Sequence, residues 1–569
     1  MSATAGEKQL RSLQGRERRW LLGVGDEGRT AQTARVLGCS PLVARVLVAR
    51  GHDVSSARRF IAAPGEPSVG ELDGTGAAAE RIEHAIAREE LVLIHGDYDV
   101  DGITSAAILS HTLRLLGART EVFLPNRILD GYGVSKRAIE RAAGAGARLF
   151  ITADCGSSSA ELLGQLAGSG CDFIVTDHHI QEAPIDGAVA VLNPVRPGST
   201  YPDHDLAAVG VAYKLAVHLL RRAGRDVPAM LHAIAAVGTV ADVAPLRGEN
   251  RDIVKRGLQA FPVCGNPGLL GLLQKASIDP RRVRAWNLAF QIGPRINAAG
   301  RMDDPSKAFA IFFETNPEKL RLLLDEIEEL NKRRQRAEER ITSEALVAVT
   351  PGVAAITVAG AQWDRGVIGI VASRLVDRFS KPALMISLEG QIGYGSARSV
   401  PGLNLVEVLK ECSRDLLTFG GHEQAAGFTL RSEEVPSFAE HVDAAVRRRG
   451  EPPPPQIRLD SVLRPEEMIF ESAEELSDLE PFGQGNPEPM FLLENARLTE
   501  PARRMGSNHL LLRLDVGGRR IPAVAWRKGE WMGSLVVGRP MMCAGRLQIN
   551  EYRGLKELRF QIEDFSDAV

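Results

Sequence analysis

Cysteine is scarce in this chain of 569 residues. The six cysteines are scattered, and no two of them form a C-x-x-C pair. Thiols spaced in this way argue against a disulfide framework and against zinc held by thiolates. They are typical of reduced cysteines in the cytoplasm, where we expect the protein to be found.

Long apolar runs and a strong net charge are also missing. No uninterrupted apolar stretch approaches the length of a membrane span, and the charged segment from Glu7 to Arg19 lacks the apolar region of a signal peptide. We therefore expect no contact with a membrane. Because the formal net charge is only −3, any binding to nucleic acid requires a local basic groove rather than the average field.

The length and the changing patterns along the chain predict several domains. A basic, mainly helical extension over residues 1–80 comes first. Residues 81–315 alternate between apolar strands and helices, which predicts an α/β domain with a parallel sheet. A densely charged helix over 316–350 would be a solvated connector to a second α/β domain at 351–452.

The last predicted domain follows a proline run. Glu451 and the four prolines after it form a stiff linker. Short strands separated by turn residues over 456–569 then favour a small β-barrel. The predicted fold class is α/β, with a C-terminal barrel, and nothing in the sequence requires more than a monomer.

Acidic and imidazole side chains follow apolar strands at several points of the first α/β domain. The predicted strand Leu91–His95 runs into G-D-Y-D-V-D-G, and the predicted strand Asp172–Thr176 runs into D-H-H. Side chains alternate along an extended backbone, so the residues at 95, 97, 99 and 101 share a face where the strand leaves the sheet. The candidate ligands are His95, Asp99, Asp101, Asp154, His178, His179 and Asp242.

This set of side chains predicts a metal site. Oxygen and imidazole ligands together suit Mn²⁺ and, less well, Mg²⁺. The set is larger than one ion needs, and two ions about 4 Å apart would use all of it and suit phosphoryl-transfer hydrolysis. Each residue alone has an ordinary alternative: a helix N-cap for a lone aspartate, a surface or capping feature for the histidine pair, a loop or calcium turn for D-Y-D-V-D-G. Three strands are each followed by side chains of the types that bind metal ions, and this combination favours a metal site over the separate alternatives.

A series of motifs in one order resembles the DHH phosphoesterase superfamily, named for Asp177-His178-His179. Within it, the chain is most similar to the bacterial single-strand-specific exonucleases. The motifs are H-G-D-Y-D-V-D-G-I-T-S at 95–105, P-N-R-I-L-D-G-Y-G at 125–133, A-D-C-G at 153–156, T-D-H-H at 176–179, V-A-D-V-A-P-L at 240–246, G-P-R-I-N-A-A-G-R at 293–301, G-S-A-R-S at 395–399, G-G-H at 420–422 and P-F-G-Q-G-N-P-E-P at 481–489.

The resemblance implies a DHH domain, a DHHA1-type substrate-binding domain and a nucleic-acid-binding OB-fold. It also implies two Mn²⁺ ions, with Mg²⁺ as the alternative. One ion would lie among Asp101, Asp154, His178 and Asp242, and the other among His95, Asp99 and again Asp154. Asp97 and Asp177 would orient these ligands through hydrogen bonds, and His179 would lie near the scissile phosphate.

Several further residues are candidates for substrate binding. Arg127 and Arg301 would clamp phosphate oxygens, and Tyr132 would stack on a base. The segment 395–399 offers backbone amides, hydroxyls and a guanidinium, and the resemblance implies that Ser396 and Arg398 hold a terminal 5′ phosphate. His422, after two glycines, would add an imidazole. The ordinary alternatives are a salt bridge for each arginine and a simple turn for the glycines.

The activity implied by the resemblance is 5′→3′ exonuclease hydrolysis of single-stranded DNA in repair and recombination. Implied partners are single-stranded DNA, a single-strand-binding protein and a RecQ-type helicase. A first alternative is a small-substrate phosphohydrolase acting on nanoRNA, cyclic dinucleotides or pyrophosphate, which would not need the barrel. A second is a non-catalytic replication scaffold, which the complete ligand set argues against.

Overall fold

The computed structural model describes residues 10–65, 72–131, 133–450, 455–506, 508–552 and 554–567. The chain forms two compact units. One unit comprises Met1–Ala63, Pro453–Phe482 and Pro487–Val569, and the other comprises Pro64–Pro452 with Gly483–Asn486. Among the described residues, no helix combines the length and the apolar character that crossing a membrane demands.

The N-terminal segment begins with a β-hairpin and continues with three helices. The hairpin pairs two antiparallel strands, and the helices that follow carry Asp26, Ser40 and Asp53 as N-caps. The elements are β1 (Leu10–Gln14), β2 (Arg19–Gly23), α1 (Glu27–Leu37), α2 (Pro41–Ala49) and α3 (Val54–Ile61). The sequence predicts helices here but not the hairpin, because its inward apolar residues are few and lie among charged ones.

A five-stranded parallel sheet follows in the second unit, as the sequence predicts, with strand order β4-β3-β5-β6-β7. Val92, Leu93 and Ile94 are fully buried because helices cover both faces of the sheet. The elements are α4 (Thr75–Ala87), β3 (Leu91–Gly96), α5 (Val100–Leu115), β4 (Arg119–Phe123), α6 (Lys136–Ala145), β5 (Leu149–Ala153), α7 (Ala160–Gly168), β6 (Asp172–Thr176) and β7 (Ala190–Leu192).

A helical region packs against one face of this sheet and ends in a long helix. A π-helical turn (Leu288–Ile292) interrupts it. The helices are α8 (Ala208–Arg222), α9 (Ala229–Ala241), α10 (Gly248–Ala260), α11 (Pro267–Lys275), α12 (Ala285–Asn287), α13 (Gly293–Met302), α14 (Ser306–Ile311) and α15 (Pro317–Ala348).

Helix α15 is not the solvated connector that its charge suggests. Leu320, Leu324 and Ile327 join the core of the first α/β domain, and Ile341 and Ala345 join a core of the second. These residues recur at helical spacing, so one apolar stripe is buried while the charged side chains lie on the opposite face. The helix therefore packs on both α/β domains along its length.

The second α/β domain contains a mixed sheet in the order β11-β12-β10-β9-β8, in which only β8 and β9 are parallel. The elements are β8 (Ile356–Ala361), α16 (Arg365–Phe379), β9 (Ala383–Glu389), β10 (Ile392–Arg398), α17 (Leu405–Glu411), β11 (Leu416–Gly421), β12 (Ala425–Arg431) and α18 (Val435–Arg448). Most of the predicted linker, residues 451–454, lies outside the described residues.

The C-terminal region forms a closed five-stranded barrel, which confirms the predicted fold. Strands β15, β19, β20, β18 and β17 follow one another around it, and pairing of β15 with β17 completes the circle. The elements are β13 (Gln456–Leu459), β14 (Ser461–Val462), α19 (Phe470–Ser477), β15 (Phe491–Leu498), β16 (Arg503–Met505), β17 (His509–Val516), β18 (Arg519–Ala525), β19 (Pro540–Tyr552) and β20 (Leu555–Asp567).

The N-terminal segment belongs to this barrel rather than forming one extension over 1–80. Strand β2 pairs in parallel with β13, and residues of α2 and α3 share a core with the barrel strands. The buried Asp564 carboxylate accepts hydrogen bonds from the Glu17 and Arg18 amides and from Trp20 Nε1. Helix α4, within the same predicted extension, is part of the other unit.

Candidate metal centre

Three neighbouring strands of the parallel sheet end side by side in potential ligands. Asp97 follows β3, Asp154 follows β5 and Asp177 follows β6. Backbone bonds join these ends: the Asp97 amide donates to Ala153 O (3.2 Å), and the Asp154 amide donates to Thr176 O (3.0 Å). Parallel pairing therefore brings the ends of distant segments together, as the sequence predicts.

His178 lies at the middle of one group of ligand atoms. Its Nε2 is 3.4 Å from Asp154 Oδ1 and 3.9 Å from Asp101 Oδ2. Its Nδ1 is 3.9 Å from Asp242 Oδ2, and Asp242 follows the last turn of α9. The ligand atoms of Asp101, His178 and Asp242 all lie within 4.8 Å of one another. Together with Asp154, these are the four residues predicted for one ion.

A second group brings together Asp97, Asp99 and Asp154, again with ligand atoms within 4.8 Å of one another. Asp154 thus belongs to both neighbourhoods, which suits the bridging position predicted for it. Asp97 takes the place beside Asp99 and Asp154 that the sequence prediction gives to His95. The Asp97 Oδ1 atom is buried without a hydrogen-bond partner, so it is available as a ligand as well as an orienting group.

His95 lies at the end of β3, outside these groups of ligand atoms. Its fully buried ring makes edge contacts with Phe123 and Phe150, at centroid distances of 5.5 and 5.9 Å. Both ring nitrogens are buried without a hydrogen-bond partner. Burial lowers the pKa of His95 to about 4, so the ring is neutral and a nitrogen lone pair is available to a cation.

Asp177 fixes the two histidines of the D-H-H motif. Its Oδ1 accepts the backbone amides of His178 (2.7 Å) and His179 (3.1 Å) and also contacts His179 Nδ1 at 2.8 Å. Its Oδ2 accepts the Ser157 amide at 2.8 Å. Both carboxylate oxygens are therefore used in positioning, which is the role the sequence prediction gives to Asp177.

His179 contacts the same cluster from its outer side. Its Nδ1 is 3.7 Å from Asp154 Oδ1, and the ligand atoms of Asp154, His178 and His179 lie within 4.8 Å of one another. Burial lowers the pKa of His179, but the hydrogen bond and charge of Asp177 outweigh it and raise the pKa to about 9. An imidazole held in this way can donate a hydrogen bond toward a phosphate.

Asp99 and Asp101 also accept hydrogen bonds from backbone amides at helix N-termini. Helix capping, the alternative role considered for a lone aspartate, is therefore compatible with metal binding. The Asp99 carboxylate caps α5 through the Gly102 amide (3.2 Å). The Asp101 carboxylate accepts the Ala208 and Val209 amides at the start of α8, at 3.0 and 2.8 Å. These bonds hold each carboxylate still and leave lone pairs for a cation.

The glycine of D-V-D-G permits this loop to close. A Cβ atom at Gly102 would lie only 2.4 Å from the Asp97 backbone nitrogen. Any larger residue would push the first turn of α5 away from the end of β3. The motif therefore needs glycine for space as well as aspartate for chemistry.

The backbone is strained at one candidate ligand and immediately after another. Asp154 has φ 68°, and Val243, which follows Asp242, has φ 62°. Left-handed backbone is uncommon for residues other than glycine, and particularly so for a β-branched one. Strain of this kind clusters at functional sites, where the surrounding structure holds it.

Negative charge accumulates here, and no lysine or arginine side chain forms an ion pair with it among the described residues. Burial and neighbouring carboxylates raise the pKa of Asp101 and Asp242 to about 7, and raise the pKa of Asp97 and Asp154 well above the usual range. In the described part of the chain, these carboxylates form ion pairs only with histidines. Asp154 Oδ1 has no hydrogen-bond partner. This donor set fits Mn²⁺ or Mg²⁺, whose charge would offset the repulsion.

An arginine-lined cavity of about 340 Å³ lies in the same unit. Its walls include three of the predicted substrate-binding residues: Arg127, Ser396 and Arg398. Arg398 Nη1 contacts Ser396 Oγ at 3.3 Å and donates to Ala397 O at 2.8 Å. Neither Arg127 nor Arg398 forms an ion pair with a carboxylate among the described residues, so the ordinary salt-bridge alternative does not account for them.

Tyr98 connects this cavity to the carboxylates. The Arg127 guanidinium lies over its ring, 4.8 Å from the centroid, and Tyr98 stands between Asp97 and Asp99. The loop that carries Arg127 is held by a turn in which the Asp130 carboxylate accepts a hydrogen bond from the Asn126 amide at 2.7 Å. Tyr98, Asn126 and Asp130 are not among the residues predicted for the site, although each lies within one of the motifs.

Of the remaining predicted substrate-binding residues, Arg301 and His422 are not among the residues that line the cavity. Arg301 is half-buried and donates to Gly366 O at 2.8 Å; desolvation, then the charge of Arg127, lowers its pKa to about 9. Arg365 also lines the cavity, but Glu389 binds it at two points. His422 is exposed on the turn between β11 and β12 and is not among the lining residues, whereas Gly421 is. Tyr132 lies outside the described residues.

Three family models match successive parts of the chain. The DHH family N-terminal domain matches residues 91–239, the DHHA1 domain matches 350–448, and the RecJ OB domain matches 459–564. These ranges contain the parallel sheet, the mixed sheet and the closed barrel. The domain content implied by the sequence motifs is therefore confirmed.

Similar proteins agree along most of the chain. The single-stranded-DNA-specific exonuclease RecJ of Bacillus subtilis is 36% identical over 558 residues, which cover 96% of this chain and 70% of that protein. The crystal structure of Thermus thermophilus RecJ with Mn²⁺ superposes with a TM-score of 0.84 at 32% identity, covering 97% of this chain and 80% of that one. The Mg²⁺ complex gives 0.79 at 30% identity, covering 97% and 78%. The chain therefore belongs to the RecJ family.

Proposed function

We propose that this chain is a single-stranded-DNA-specific exonuclease that degrades DNA from the 5′ end and uses two divalent metal ions. One observation carries the proposal: among the described residues, buried carboxylates that no lysine or arginine pairs with lie beside a cavity lined by Arg127 and Arg398, neither of which forms an ion pair with a carboxylate. A phosphodiester needs positive charge on several oxygens during hydrolysis, and metal ions and guanidiniums would supply it from two sides. The similar protein of Bacillus subtilis is named a single-stranded-DNA-specific exonuclease.

The cluster supports one predicted ligand set in full and the other in part, since His95 lies outside the groups of ligand atoms. Asp101, Asp154, His178 and Asp242 would hold one ion, and His95, Asp99 and Asp154 the other. Asp97 would join the second set, since its ligand atom lies within 4.8 Å of those of Asp99 and Asp154. Bound Mn²⁺ or Mg²⁺ supplies positive charge to the phosphoryl oxygens and activates water for attack.

The protein's own residues orient the reaction. The Asp177 Oδ1 atom accepts hydrogen bonds from the backbone amides of His178 and His179 and contacts His179 Nδ1, so the His179 ring does not depend on substrate for its position. Because His179 Nδ1 faces Asp177, its Nε2 is the ring atom that would meet a phosphate oxygen. Such fixed donors contribute to catalysis because they need no reorganisation during the reaction.

The arginine-lined cavity supports the 5′→3′ direction. Arg127, Ser396 and Arg398 would hold a terminal 5′ phosphate through charge-assisted hydrogen bonds. Through Tyr98, Arg127 also contacts the loop that carries Asp97 and Asp99. An end held in this cavity would place a nearby phosphodiester at the metal ions.

The closed barrel supports a polymeric rather than a small substrate. Arg503, Arg504, Arg519 and Arg520 are exposed on its strands, and OB-folds bind single strands through basic grooves and stacked bases.

We also propose a role in DNA repair and recombination, action as a monomer in the cytoplasm, and contacts with a single-strand-binding protein and a RecQ-type helicase. Pull-down of each purified partner by the full chain tests those contacts.

Digestion of end-labelled DNA tests the main proposal. With Mn²⁺, 5′-labelled single strands should release labelled mononucleotide at once, while 3′-labelled strands should shorten progressively. Duplex DNA should resist digestion, and EDTA should stop the reaction. Release of the 3′ label first would contradict the polarity, and faster turnover of dinucleotides than of long strands would favour the small-substrate alternative.

A further inference from the structure

Asn250, in the first turn of α10, is fully buried and forms three hydrogen bonds with the backbone of two loops. Its Nδ2 donates to Asp205 O at 2.6 Å and to Pro245 O at 3.2 Å, and its Oδ1 accepts the Ala207 amide at 3.2 Å. The two carbonyls need donors and the amide needs an acceptor, and a carboxamide offers both. Asn250 therefore joins a loop that precedes α8 to a loop that follows α9.

The first loop leads into the amides that hold Asp101. Ala207 is the last residue before α8, and this helix has no side-chain N-cap. The next two amides, of Ala208 and Val209, are donated to the Asp101 carboxylate. Three successive amides at the start of α8 are thus taken by Asn250 and Asp101. A bond that fixes the first of them also fixes the position of a candidate ligand.

The second loop begins at Asp242, another candidate ligand of the same ion. Among the described residues, no hydrogen bond holds the Asp242 carboxylate, whose His178 contact is 3.9 Å long. Its direction therefore depends on the backbone on either side. On one side, the Asp242 amide donates to Gly238 O at 2.9 Å within α9. On the other side, Asn250 holds the carbonyl of Pro245, three residues further on.

Other contacts between the two loops lie nearer the surface. Arg247 donates to the Asp205 carboxylate at 2.7 Å, but its side chain is 63% exposed. The half-buried Asp203 carboxylate accepts the Glu249 amide at 2.6 Å. An exposed ion pair adds little to stability. We therefore expect the buried bonds of Asn250 to be important for the separation of the loops.

We propose that Asn250 is a positioning residue for the ion that Asp101, Asp154, His178 and Asp242 would hold. It keeps Asp101 and Asp242 at the separation at which their ligand atoms lie within 4.8 Å of each other. The ligands predicted for the other ion include neither of these two carboxylates, so that ion should be unaffected. This inference rests on the proposed function and concerns a residue outside both ligand groups. Loss of a group that orients ligands typically weakens metal binding by about 10- to 100-fold.

Titration of the full chain with Mn²⁺, followed by the electron paramagnetic resonance of the free ion, tests this role without turnover. The wild type should bind two ions. Asn250→Ala should bind one of them about tenfold or more weakly and the other as the wild type does. Asn266→Ala is the matched control, because this buried side chain also bonds backbone groups, Phe312 O and the Leu269 amide, but contacts neither loop.

Asn250→Asp separates position from charge. This variant keeps the size and the acceptor but loses both donors, and it sets a carboxylate against two carbonyls. An added negative charge would by itself strengthen Mn²⁺ binding, so weaker binding in Asn250→Asp reports a change of position. The same variant carries the test if Asn250→Ala does not fold.

The response of activity to Mn²⁺ distinguishes positioning from a merely structural role. Asn250→Ala and Asn266→Ala should both lower the melting temperature in EDTA, because each leaves buried backbone groups without a partner. In Asn250→Ala, the Mn²⁺ concentration for half-maximal exonuclease rate should rise about tenfold, and kcat at saturating Mn²⁺ should stay near that of the wild type. In Asn266→Ala, the Mn²⁺ concentration for half-maximal rate should not change.

The outcomes separate this inference from the proposed function. A wild-type protein that neither binds Mn²⁺ nor digests single strands overturns both. A wild-type protein that binds two ions, together with an Asn250→Ala variant that binds both equally well, keeps the proposed function and overturns the role of Asn250. Equal weakening in Asn250→Ala and Asn266→Ala also overturns that role, because the effect would then be a general loss of structure.

Discussion

His178 Nε2 lies 3.4 Å from Asp154 Oδ1, although the two residues follow different strands of the parallel sheet. The neighbouring strands β5 and β6 bring them together, and the left-handed backbone at Asp154 turns its carboxylate toward the imidazole. Asp154 also belongs to the group formed with Asp97 and Asp99. It is therefore the residue whose loss would disturb both candidate ion positions.

We expect Asp154→Asn to reduce exonuclease activity by at least about a thousandfold, because both ions lose a charged ligand and their position. The metal-free variant should be more stable than the metal-free wild type, since the substitution removes repulsion among buried carboxylates. Nuclease assays and thermal unfolding in EDTA measure the two effects. Asp226→Asn, at an exposed aspartate, is the control; activity near wild type in Asp154→Asn would contradict the assignment.

Addition of Mn²⁺ should stabilise the wild-type protein, because the ion binds the folded cluster and not the unfolded chain. At a concentration about 100-fold above the dissociation constant, the gain is about 2.7 kcal/mol. EDTA should reverse the shift in melting temperature. The shift should be small or absent in Asp154→Asn, and an equal shift in both proteins would place the ion elsewhere.

Arg398→Ala should slow digestion of 5′-phosphorylated strands roughly tenfold or more, with little effect on strands that carry a 5′ hydroxyl. The guanidinium lines the cavity beside Ser396, so it would contact the terminal phosphate rather than the metal ions. Arg398→Lys should recover only part of the activity, because lysine lacks the planar pair of donors. Equal losses on both kinds of end would exclude a role in binding the terminal phosphate.

His111 should make the stability of the folded protein depend on pH. Burial lowers its pKa from 6.5 to about 4, and its Nε2 contacts Phe312 O at 3.0 Å. Above pH 6.5 the ring is neutral in both the folded and unfolded states. Between pH 6.5 and 4 only the unfolded state takes up the proton, so stability falls as the pH falls.

Replacement of His111 by glutamine should reduce this loss. Urea unfolding of both proteins at several values between pH 7.5 and 4.5 gives the difference, which is at most about 1.4 kcal/mol per pH unit for one proton. Parallel curves for the wild type and His111→Gln would show that this histidine does not titrate in that range.

Asp564→Ala should destabilise the unit that contains the barrel by about 3 kcal/mol. The substitution removes the buried acceptor of the Glu17 and Arg18 amides and of Trp20 Nε1. Urea unfolding followed by tryptophan emission measures the change. Asp567→Ala, at a carboxylate that is 58% exposed, should have little effect; an equal loss in both variants would show that the Asp564 contacts add no stability.

The elements of the α/β domains could be predicted because their signals are local. The strand Leu91–Gly96 begins with an apolar run, and the helix after it starts at a capping aspartate. The N-terminal hairpin could not be predicted, since its apolar residues are few and its second strand also pairs with β13, more than 400 residues further along the chain. Helix α15 was misjudged for a related reason: its charges dominate the sequence, while its buried stripe depends on two neighbouring domains.

By itself, the sequence determined the residue types of the metal centre and the strands that carry them, because ligand chemistry and apolar periodicity are properties of short segments. Only the tertiary structure decided which ligand atoms meet. It put Asp97 beside Asp99 and Asp154, kept His95 between two phenylalanines, and left His422 on an exposed turn. Such distances depend on strand pairing, helix packing and side-chain direction, which are set by contacts between residues far apart in the chain.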